Sequence, residues 1–226
     1  MKNTPVVINS LPPEVFECIF SLSMPDCIQY EPRPCLSTSY GFVGVCRYWR
    51  QIATRTPGLW GAHIDVSNLT PNSLLRLLLE RAKNSPINIH LLKLDSGRGM
   101  PRFKLSEAIL LLEPHMNRVR SLETILGTFS YDSSFSLVNQ WLDYGDPALA
   151  NALSLRASNL AGKDVLNQMR QSENSKKLLS SISSLRLGGF VFPWDSGIYR
   201  NLTSLILFNA FHVTTSELHR ILAASS

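Results

Sequence analysis

LPPEVFECIF (residues 11–20) and VCRYWRQIATRTPGLW (residues 45–60) are the stretches that decide how the N-terminal part of this 226-residue chain folds. Proline is tolerated only in the first turn of a helix, so the Pro12-Pro13 pair predicts that a helix begins there. Met24-Pro25 ends it, because the residue before a proline is pushed out of the α-helical region. The apolar residues of this helix form a face wider than one packing partner needs: Val15, Phe16, Ile19, Phe20 and Leu22.

A second helix is predicted from Phe42 through Ala53, since apolar residues recur there every three or four positions while the arginines face away. Thr56-Pro57-Gly58 ends this helix and lets Leu59-Trp60 fold back as an anchor. Two apolar-faced helices within about fifty residues bury too little surface to be stable alone. They must therefore dock on the rest of the chain or on a partner.

The order of these residues resembles the F-box, in particular the fungal F-box-like subgroup, which a Pro-x-Leu-Trp element closes. The residues that carry the resemblance are Leu11-Pro12-x-Glu14, Ile19-Phe20, Val45-Cys46-Arg47-x-Trp49-Arg50 and Pro57-Gly58-Leu59-Trp60. The resemblance implies a helical module, here residues 5–62, that binds a Skp-type adaptor and through it a cullin scaffold in a ubiquitin ligase. Matched to the motif residue by residue, the adaptor-binding positions are Leu11, Pro12, Ile19, Val45 and Trp49.

Residues 24–39 form a longer spacer between the two helices than the commonest F-box has. Pro25, Pro32 and Pro34 stiffen this spacer, so we expect it to loop out at the surface. The alternative to the F-box interpretation is that the two helices are core helices of an ordinary α-helical domain.

Residues 63–226 alternate between strand-like and helical patterns, which predicts a mixed α/β fold. ISSLRL (residues 182–187) and LTSLIL (residues 202–207) share a Leu-x-x-Leu-x-Leu type of pattern. This pattern resembles leucine-rich repeats and implies an irregular solenoid, in which alternate leucines point into a shared core. The asparagine that usually follows is absent, with Phe190 and Ala210 at those positions. The alternative is an ordinary α/β layer with leucine-rich strands.

Residues between the inward leucines should face outward, which makes Arg186, Ser204 and Ile206 the candidates for binding a protein target. The last strand pattern has no successor, and the helix predicted from Thr214 is followed by only a few more residues. An open sheet edge invites pairing with another chain. We therefore expect either self-association through residues 200–226 or a chain that is a shortened member of a longer architecture.

Composition excludes several classes of protein. The formal net charge is +5 and the pI is about 9.2, but the basic residues are scattered, which favours a solvated surface over nucleic-acid binding. A hydrophobic fraction of 44% with a mean hydropathy of +0.02 indicates a globular protein. No apolar run is long enough to span a membrane, and the first ten residues contain no apolar stretch typical of a secretory signal.

The cysteines point to a reducing compartment, the cytoplasm or the nucleus. All four (Cys18, Cys27, Cys35 and Cys46) lie in the first fifty residues, without a Cys-x-x-Cys pair or a nearby histidine, so no metal site is expected. Cys18 and Cys46 fall on apolar helix faces and are predicted to be small core residues.

No catalytic motif is present in the sequence: it contains no nucleophile elbow, phosphate loop, dinucleotide fingerprint or zinc-protease pattern, and the histidines are dispersed. We therefore expect neither an enzyme nor a cofactor. The function that the resemblance implies is recruitment of a protein target to the ligase, by raising its local concentration near the ubiquitin-charged enzyme. One alternative is an F-box interaction protein that acts outside ubiquitination. Another is a nucleic-acid binder, which only the net charge favours.

Overall fold

The computed structural model describes residues 8–23, 36–66, 70–91, 105–126, 131–157, 169, 172–193, 196–209, 214–216, 219 and 223; at 36–40, 105 and 131–133 it describes the backbone only. The helices are α1 (Pro13–Ser23), α2 (Leu36–Val45), α3 (Arg47–Arg55), α4 (Pro57–Gly61), α5 (Asn72–Ala82), α6 (Leu105–Leu112), α7 (Tyr131–Tyr144) and α8 (Glu173–Ser181). The strands are β1 (Ile64–Asp65), β2 (Ile87–Leu91), β3 (Val119–Leu126), β4 (Ala152–Ala157), β5 (Ser184–Gly188) and β6 (Ser204–Phe208). Short 3-10 helices lie at Ile8–Ser10, Glu113–Arg118 and Gly197–Tyr199.

The six strands form one parallel sheet in which the order β1 to β6 follows the chain. Helices α4, α5, α6, α7 and α8 contact one another in the same order, so they form a layer on one side of the sheet. Parallel neighbours need a crossover connection, and the helices supply it. This arrangement confirms the mixed α/β fold that the sequence predicts.

Two rows of apolar side chains face the helical layer. The register aligns Ile64, Ile89, Leu122, Leu153, Leu185 and Leu205 in the first row, and Leu91, Thr124, Leu155, Leu187 and Leu207 in the second. Most of these side chains are buried in the hydrophobic core, which also takes in Phe135, Val138, Trp141 and Leu142 of α7. The prediction that alternate leucines point into a core is therefore confirmed. The spacing of Phe135, Val138, Trp141 and Leu142 also predicts one face of a helix, and α7 confirms it.

A ladder of hydrogen bonds joins the residues that precede the last three strands. The backbone N–H of Ser183 donates to the carbonyl oxygen of Asn151 (2.9 Å), and the N–H of Thr203 donates to that of Ser183 (2.8 Å). The Thr203 hydroxyl donates to the same Ser183 oxygen (3.0 Å). β5 and β6 also end in the same way, because the residue directly after each strand, Gly189 and Asn209, has a positive φ (77° and 51°).

The prediction of one helix from Phe42 through Ala53 is wrong, because α2 and α3 are separate helices divided at Cys46. The backbone of Cys46 is extended (φ −157°, ψ 174°), and its Sγ accepts a hydrogen bond from the N–H of Trp49 (3.5 Å). A side-chain acceptor here satisfies one of the N–H groups that a helix start leaves without a partner, so a new helix begins.

Three further predictions need correction. Cys18 is exposed, because Phe16 and Phe20 take the inward positions of α1 and residue 18 lies on the opposite side; Cys46 is only half-buried. Residues 36–39 of the expected loop belong to α2. Thr70-Pro71 predicts a helix that is capped by Thr70, but the N-cap of α5 is Pro71, and Thr70 is buried.

The predictions for the spacer residues 24–35, which include Cys27 and Cys35, lie outside the described residues. Most of the helix expected after Thr214 also lies outside them. The polar residues 162–177 predict a loop or a weakly packed helix. They are described only at residue 169 and from Ser172 onward, where the Ser172 side chain caps α8 by accepting a hydrogen bond from the N–H of Ser175. Self-association through residues 200–226 stays a prediction.

Candidate functional site

The N-terminal helices pack around an aromatic cluster. The ring of Phe16 lies 5.2 Å from that of Trp49, and the ring of Phe20 stacks on Phe42 at 4.3 Å. Hydrogen bonds fix the chain before α1, because the Tyr48 hydroxyl donates to the carbonyl oxygen of Leu11 (3.1 Å). α1 is thereby held against α2 and α3, so the outer side of α1 has a defined position.

Leu59 and Trp60 join these helices to the sheet. Both side chains are buried, and the indole Nε1 of Trp60 donates to the carbonyl oxygen of Ala53 (2.7 Å). The guanidinium carbon of Arg81, on α5, lies 4.4 Å from the centre of the Trp60 ring. Helix α4 also contacts β2. The predicted anchor is therefore present, and the N-terminal helices dock on the rest of the chain, which is one of the two alternatives that the sequence leaves open.

Apolar side chains remain exposed on the N-terminal helices after the cluster has formed. Leu22 is 87% exposed and Val45 58% exposed, and Val15 and Ile8 are also exposed. Val15, Ile19 and Leu22 are spaced four and three apart, so they share one side of α1. Sequence reasoning left Val15 and Leu22 out of the adaptor-binding set, although the excess width of the apolar face had pointed to them.

The predicted adaptor-binding residues divide into two groups. Pro12 and Val45 are exposed, whereas Leu11, Ile19 and Trp49 are half-buried and pack partly on the core. Trp49 also donates its indole N–H to the side-chain oxygen of Asn9 (3.1 Å). Binding of an adaptor by these five residues stays a prediction.

The side of the sheet opposite the helices carries polar and charged side chains. We call it the polar face, and its central row crosses all six strands: Asp65, His90, Glu123, Ser154, Arg186 and Ile206. Side chains two positions apart on a strand share a face, so this row lies between a row that includes Ser121 and Ser184 and a row that includes Arg156 and Phe208. The polar face thus gathers residues that are far apart in the sequence.

Glu123 is the centre of the hydrogen bonding on the polar face. Its Oε2 lies 3.0 Å from Nδ1 of His90, while its Oε1 accepts from the Ser154 hydroxyl (3.2 Å) and lies 3.7 Å from the Arg156 guanidinium. Burial of the carboxyl opposes its ionisation. The hydrogen bond and charge of His90, the charge of Arg156 and the Ser154 hydroxyl outweigh burial and lower the pKa of Glu123. The carboxylate is therefore ionised at neutral pH.

The ring of His63 lies against that of His90, with the two ring centres 4.0 Å apart and the ring planes inclined by 31°. Burial, and then repulsion from His90, lower the pKa of His63 to about 3. His63 is therefore neutral at physiological pH.

Arg156 and Arg186 approach the same aromatic ring. Their guanidinium carbons lie 5.6 Å and 5.4 Å from the centre of the Phe208 ring. Gly188, between Arg156 and Phe208 in the register, leaves space for this approach, since a Cβ there would lie 3.2 Å from Cγ of Arg156. The glycine therefore permits a side chain from β4 to extend over β5 towards β6.

The predicted target-binding residues lie on the polar face, but not all are accessible. Arg186 is only 6% exposed, so the expectation that it faces solvent is wrong; its contact with Phe208 and its neighbours on the row bury it. Ser204 and Ile206, on β6, are half-buried. Arg186 lines a cavity of about 320 Å³ over β2 to β5, together with His90, Glu123, Ser154 and Arg120.

Across the described ranges, no group of three histidine, cysteine or acidic side chains is arranged to hold a metal ion. Within those same ranges no helix combines the length and apolar character needed to cross a membrane. No protein-family model, curated protein or solved structure matches the chain significantly.

Proposed function

We propose that this chain is a substrate-recruiting, F-box-type subunit of a Skp-cullin ubiquitin ligase. Its N-terminal helices would bind the Skp-type adaptor, and its leucine-rich region would bind the target. The observation that carries the proposal is the order of the motif residues between Leu11 and Trp60, together with the apolar side chains that stay exposed there.

The packing of α1 supports an adaptor surface on its outer side. Phe16 and Phe20 fill the buried side of α1, so the core does not need the exposed side chains of Val15 and Leu22. Contiguous exposed apolar residues commonly mark protein-protein interaction sites. Val45 at the end of α2 and Pro12 before α1 add to the same kind of surface and belong to the motif.

The sheet supports a leucine-rich-repeat-like solenoid as its finer architecture. The strands follow one another in chain order, and the leucines of β5 and β6 align in register. A residue with positive φ follows directly after β5 and after β6. Hydrogen bonds through Asn151, Ser183 and Thr203 also link the segments that precede the last three strands, at the other end of the strands from the absent asparagines. A solenoid of this kind presents its strand face to partners.

The chain itself would perform no chemistry in this function. Binding the adaptor with one surface and a target with another raises the effective concentration of target lysines near the ubiquitin-charged enzyme. The anchoring of Trp60 between α3 and α5 would hold the two surfaces in a fixed relation, so that a bound target stays within reach.

Adaptor pull-down with a double variant tests the proposal. Pro12→Ala with Val45→Glu changes two exposed residues, so folding should be unaffected, and the new carboxylate would face an apolar partner. We expect adaptor affinity to fall at least about tenfold. Leu110→Glu is the matched control, because Leu110 is 63% exposed on α6, outside the motif. Undiminished binding by the double variant, with an unchanged circular dichroism spectrum, would refute the adaptor surface.

Affinity purification with mass spectrometry then tests the target surface. Ser204→Glu with Ile206→Glu should change the enriched targets while leaving the adaptor enriched. Enrichment of the adaptor and targets without cullin-dependent ubiquitination would instead indicate an F-box protein that acts outside ubiquitination.

A further inference from the structure

A groove of about 410 Å³ lies between helix α8 and the 3-10 helix Gly197–Tyr199. Its apolar lining comes from Leu179 on α8 and from Phe192 and Ile198. The volume lies within the range of roughly 300–1,000 Å³ that binding pockets occupy. None of the described residues that line this groove lines the cavity of the polar face, so the groove is a separate feature of the chain.

Hydrogen bonds hold the two walls of the groove together. The side-chain amide of Asn201, two residues after the 3-10 helix, donates to the carbonyl oxygen of Ser180 on α8 (2.6 Å). The buried hydroxyl of Tyr199 donates to the carbonyl oxygen of Phe192 (3.1 Å). The groove is therefore formed in the free chain, and a ligand does not have to order its walls.

The charged side chains among the described residues that line the groove are all basic. Lys176 and Lys177 lie on α8, Arg200 follows the 3-10 helix on the other wall, and all three are exposed. Glu173, one turn earlier on α8, accepts a hydrogen bond from Lys176 (2.8 Å) and attracts Lys177 without forming an ion pair with it. Within the described part of the chain, Lys177 and Arg200 form no ion pair. Each wall therefore offers a positive charge to a ligand.

A peptide segment matches both walls at once. One large apolar side chain can lie in the groove against Leu179 and Ile198, as the anchor residue of an interface does. Acidic side chains before and after that anchor then lie towards Lys177 on one wall and Arg200 on the other. A small ligand with a single anionic group would meet only one of the two walls.

We propose that this groove binds an acidic segment of a partner protein, in which a large apolar residue lies between acidic residues. The inference goes beyond the proposed function, which places the target on the strand face. It does not depend on that function, because its test contains neither adaptor nor target.

Isothermal titration of the full chain with three acetylated and amidated pentapeptides tests the inference. The first peptide is Asp-Glu-Phe-Asp-Glu, the second has glycine in place of phenylalanine, and the third has the amides Asn and Gln in place of the acidic residues. At low ionic strength we expect a dissociation constant of about 1 mM or lower for the first peptide. The second and third should each bind at least about fivefold more weakly, because one lacks the anchor and the other lacks the charges.

A double variant locates the binding site. Lys177→Gln with Arg200→Gln removes one charge from each wall, and both residues are exposed, so folding should be unaffected. It should bind the first peptide at least about fivefold more weakly than the unaltered chain does. Arg47→Gln with Arg55→Gln is the matched control, because it removes the same charge from two exposed residues of α3 that do not line the groove. This control should bind as the unaltered chain does.

Several results would overturn the inference. These are no saturable binding of the first peptide at about 5 mM, equal binding of the glycine or amide peptide, or an equal loss of affinity in the two double variants. Decanoate, which joins one carboxylate to an apolar chain, is the last probe. If decanoate bound at least as tightly as the first peptide, and Lys177→Gln with Arg200→Gln abolished its binding, the groove would hold a small amphiphile rather than a peptide segment.

Discussion

The indole N–H of Trp60 donates a 2.7 Å hydrogen bond to the backbone carbonyl oxygen of Ala53, with Arg81 of the next helix lying over the same ring. Trp60 thus contacts the N-terminal helices and the helical layer of the sheet at once. Trp60→Ala removes a fully buried ring, so we expect the free energy of unfolding to fall by about 3–5 kcal/mol. Urea denaturation followed by circular dichroism measures this loss.

Trp60→Phe distinguishes the contribution of the hydrogen bond to stability from the contribution of the buried ring. It keeps most of the apolar contact but leaves the Ala53 oxygen without its donor, so the expected loss is smaller, about 1–3 kcal/mol. If the alanine variant were no less stable than the phenylalanine variant, Trp60 would not couple the two parts of the chain.

Thr124 carries a hydroxyl into the leucine row that faces the helices. It aligns with Leu91 and Leu155, is fully buried, and its Oγ1 has no hydrogen-bond partner among the described residues. Thr124→Val keeps the shape and removes the unsatisfied group, so we expect the free energy of unfolding to rise by about 1 kcal/mol. Thr203→Val is the control with the opposite sign, because its hydroxyl donates to Ser183. A loss of stability in Thr124→Val would mean that the hydroxyl has a partner.

The leucines of the sheet were predictable from the sequence, whereas the break in the helices was not. Leu185 and Leu187 alternate with residues of the other face, and period-two alternation predicts which side is buried. Val45 and Trp49 are four apart and continue a helical pattern across Cys46, although the backbone there is extended. The spacing of apolar residues cannot predict that the Cys46 sulfur caps a new helix here.

The polar face was not predictable because it depends on the register between strands. His90 and Glu123 are 33 residues apart, and only the pairing of β2 with β3 brings them to 3.0 Å. Arg186 was expected at the surface, since its neighbours on the strand are leucines. Its burial follows from Phe208 on β6, a contact that no local pattern contains.

Gly189 has a positive φ (77°), and a Cβ there would overlap the carbonyl oxygen of Ala157 on the neighbouring segment. Both the backbone conformation and the close approach exclude a side chain. Gly189→Ala should therefore lower the free energy of unfolding by more than about 2 kcal/mol. Gly58→Ala is the matched control, because nothing lies within 4 Å of a Cβ there, and it should leave stability unchanged or slightly raised. Equal stability of the two variants would contradict the geometry at Gly189.

His63 makes stability depend on pH, because its pKa of about 3 in the folded chain lies well below the ordinary value of 6.5. As the pH falls below 6.5 the unfolded chain takes up a proton at His63 and the folded chain does not. The free energy of unfolding therefore falls as the pH is lowered towards 3, and is unaffected by His63 above 6.5. The buried Glu123, with its lowered pKa, also loses its stabilising contribution on acidification, but only below its ordinary value of 4.5.

Comparison with His63→Gln between pH 7.5 and 5 measures the contribution of His63 together with that of its repulsion of His90. The unaltered chain should lose stability more steeply than the variant below pH 6.5, by about 1 kcal/mol for each pH unit. Urea denaturation at half-unit intervals measures both slopes, and above pH 7 the two curves should run parallel. His115, whose pKa is also lowered, by burial and then by the charge of Arg118, is present in both proteins and cancels in the difference. Parallel curves throughout this range would mean that His63 is protonated as readily in the folded chain as in the unfolded one, and would contradict the lowered pKa that burial and His90 give it.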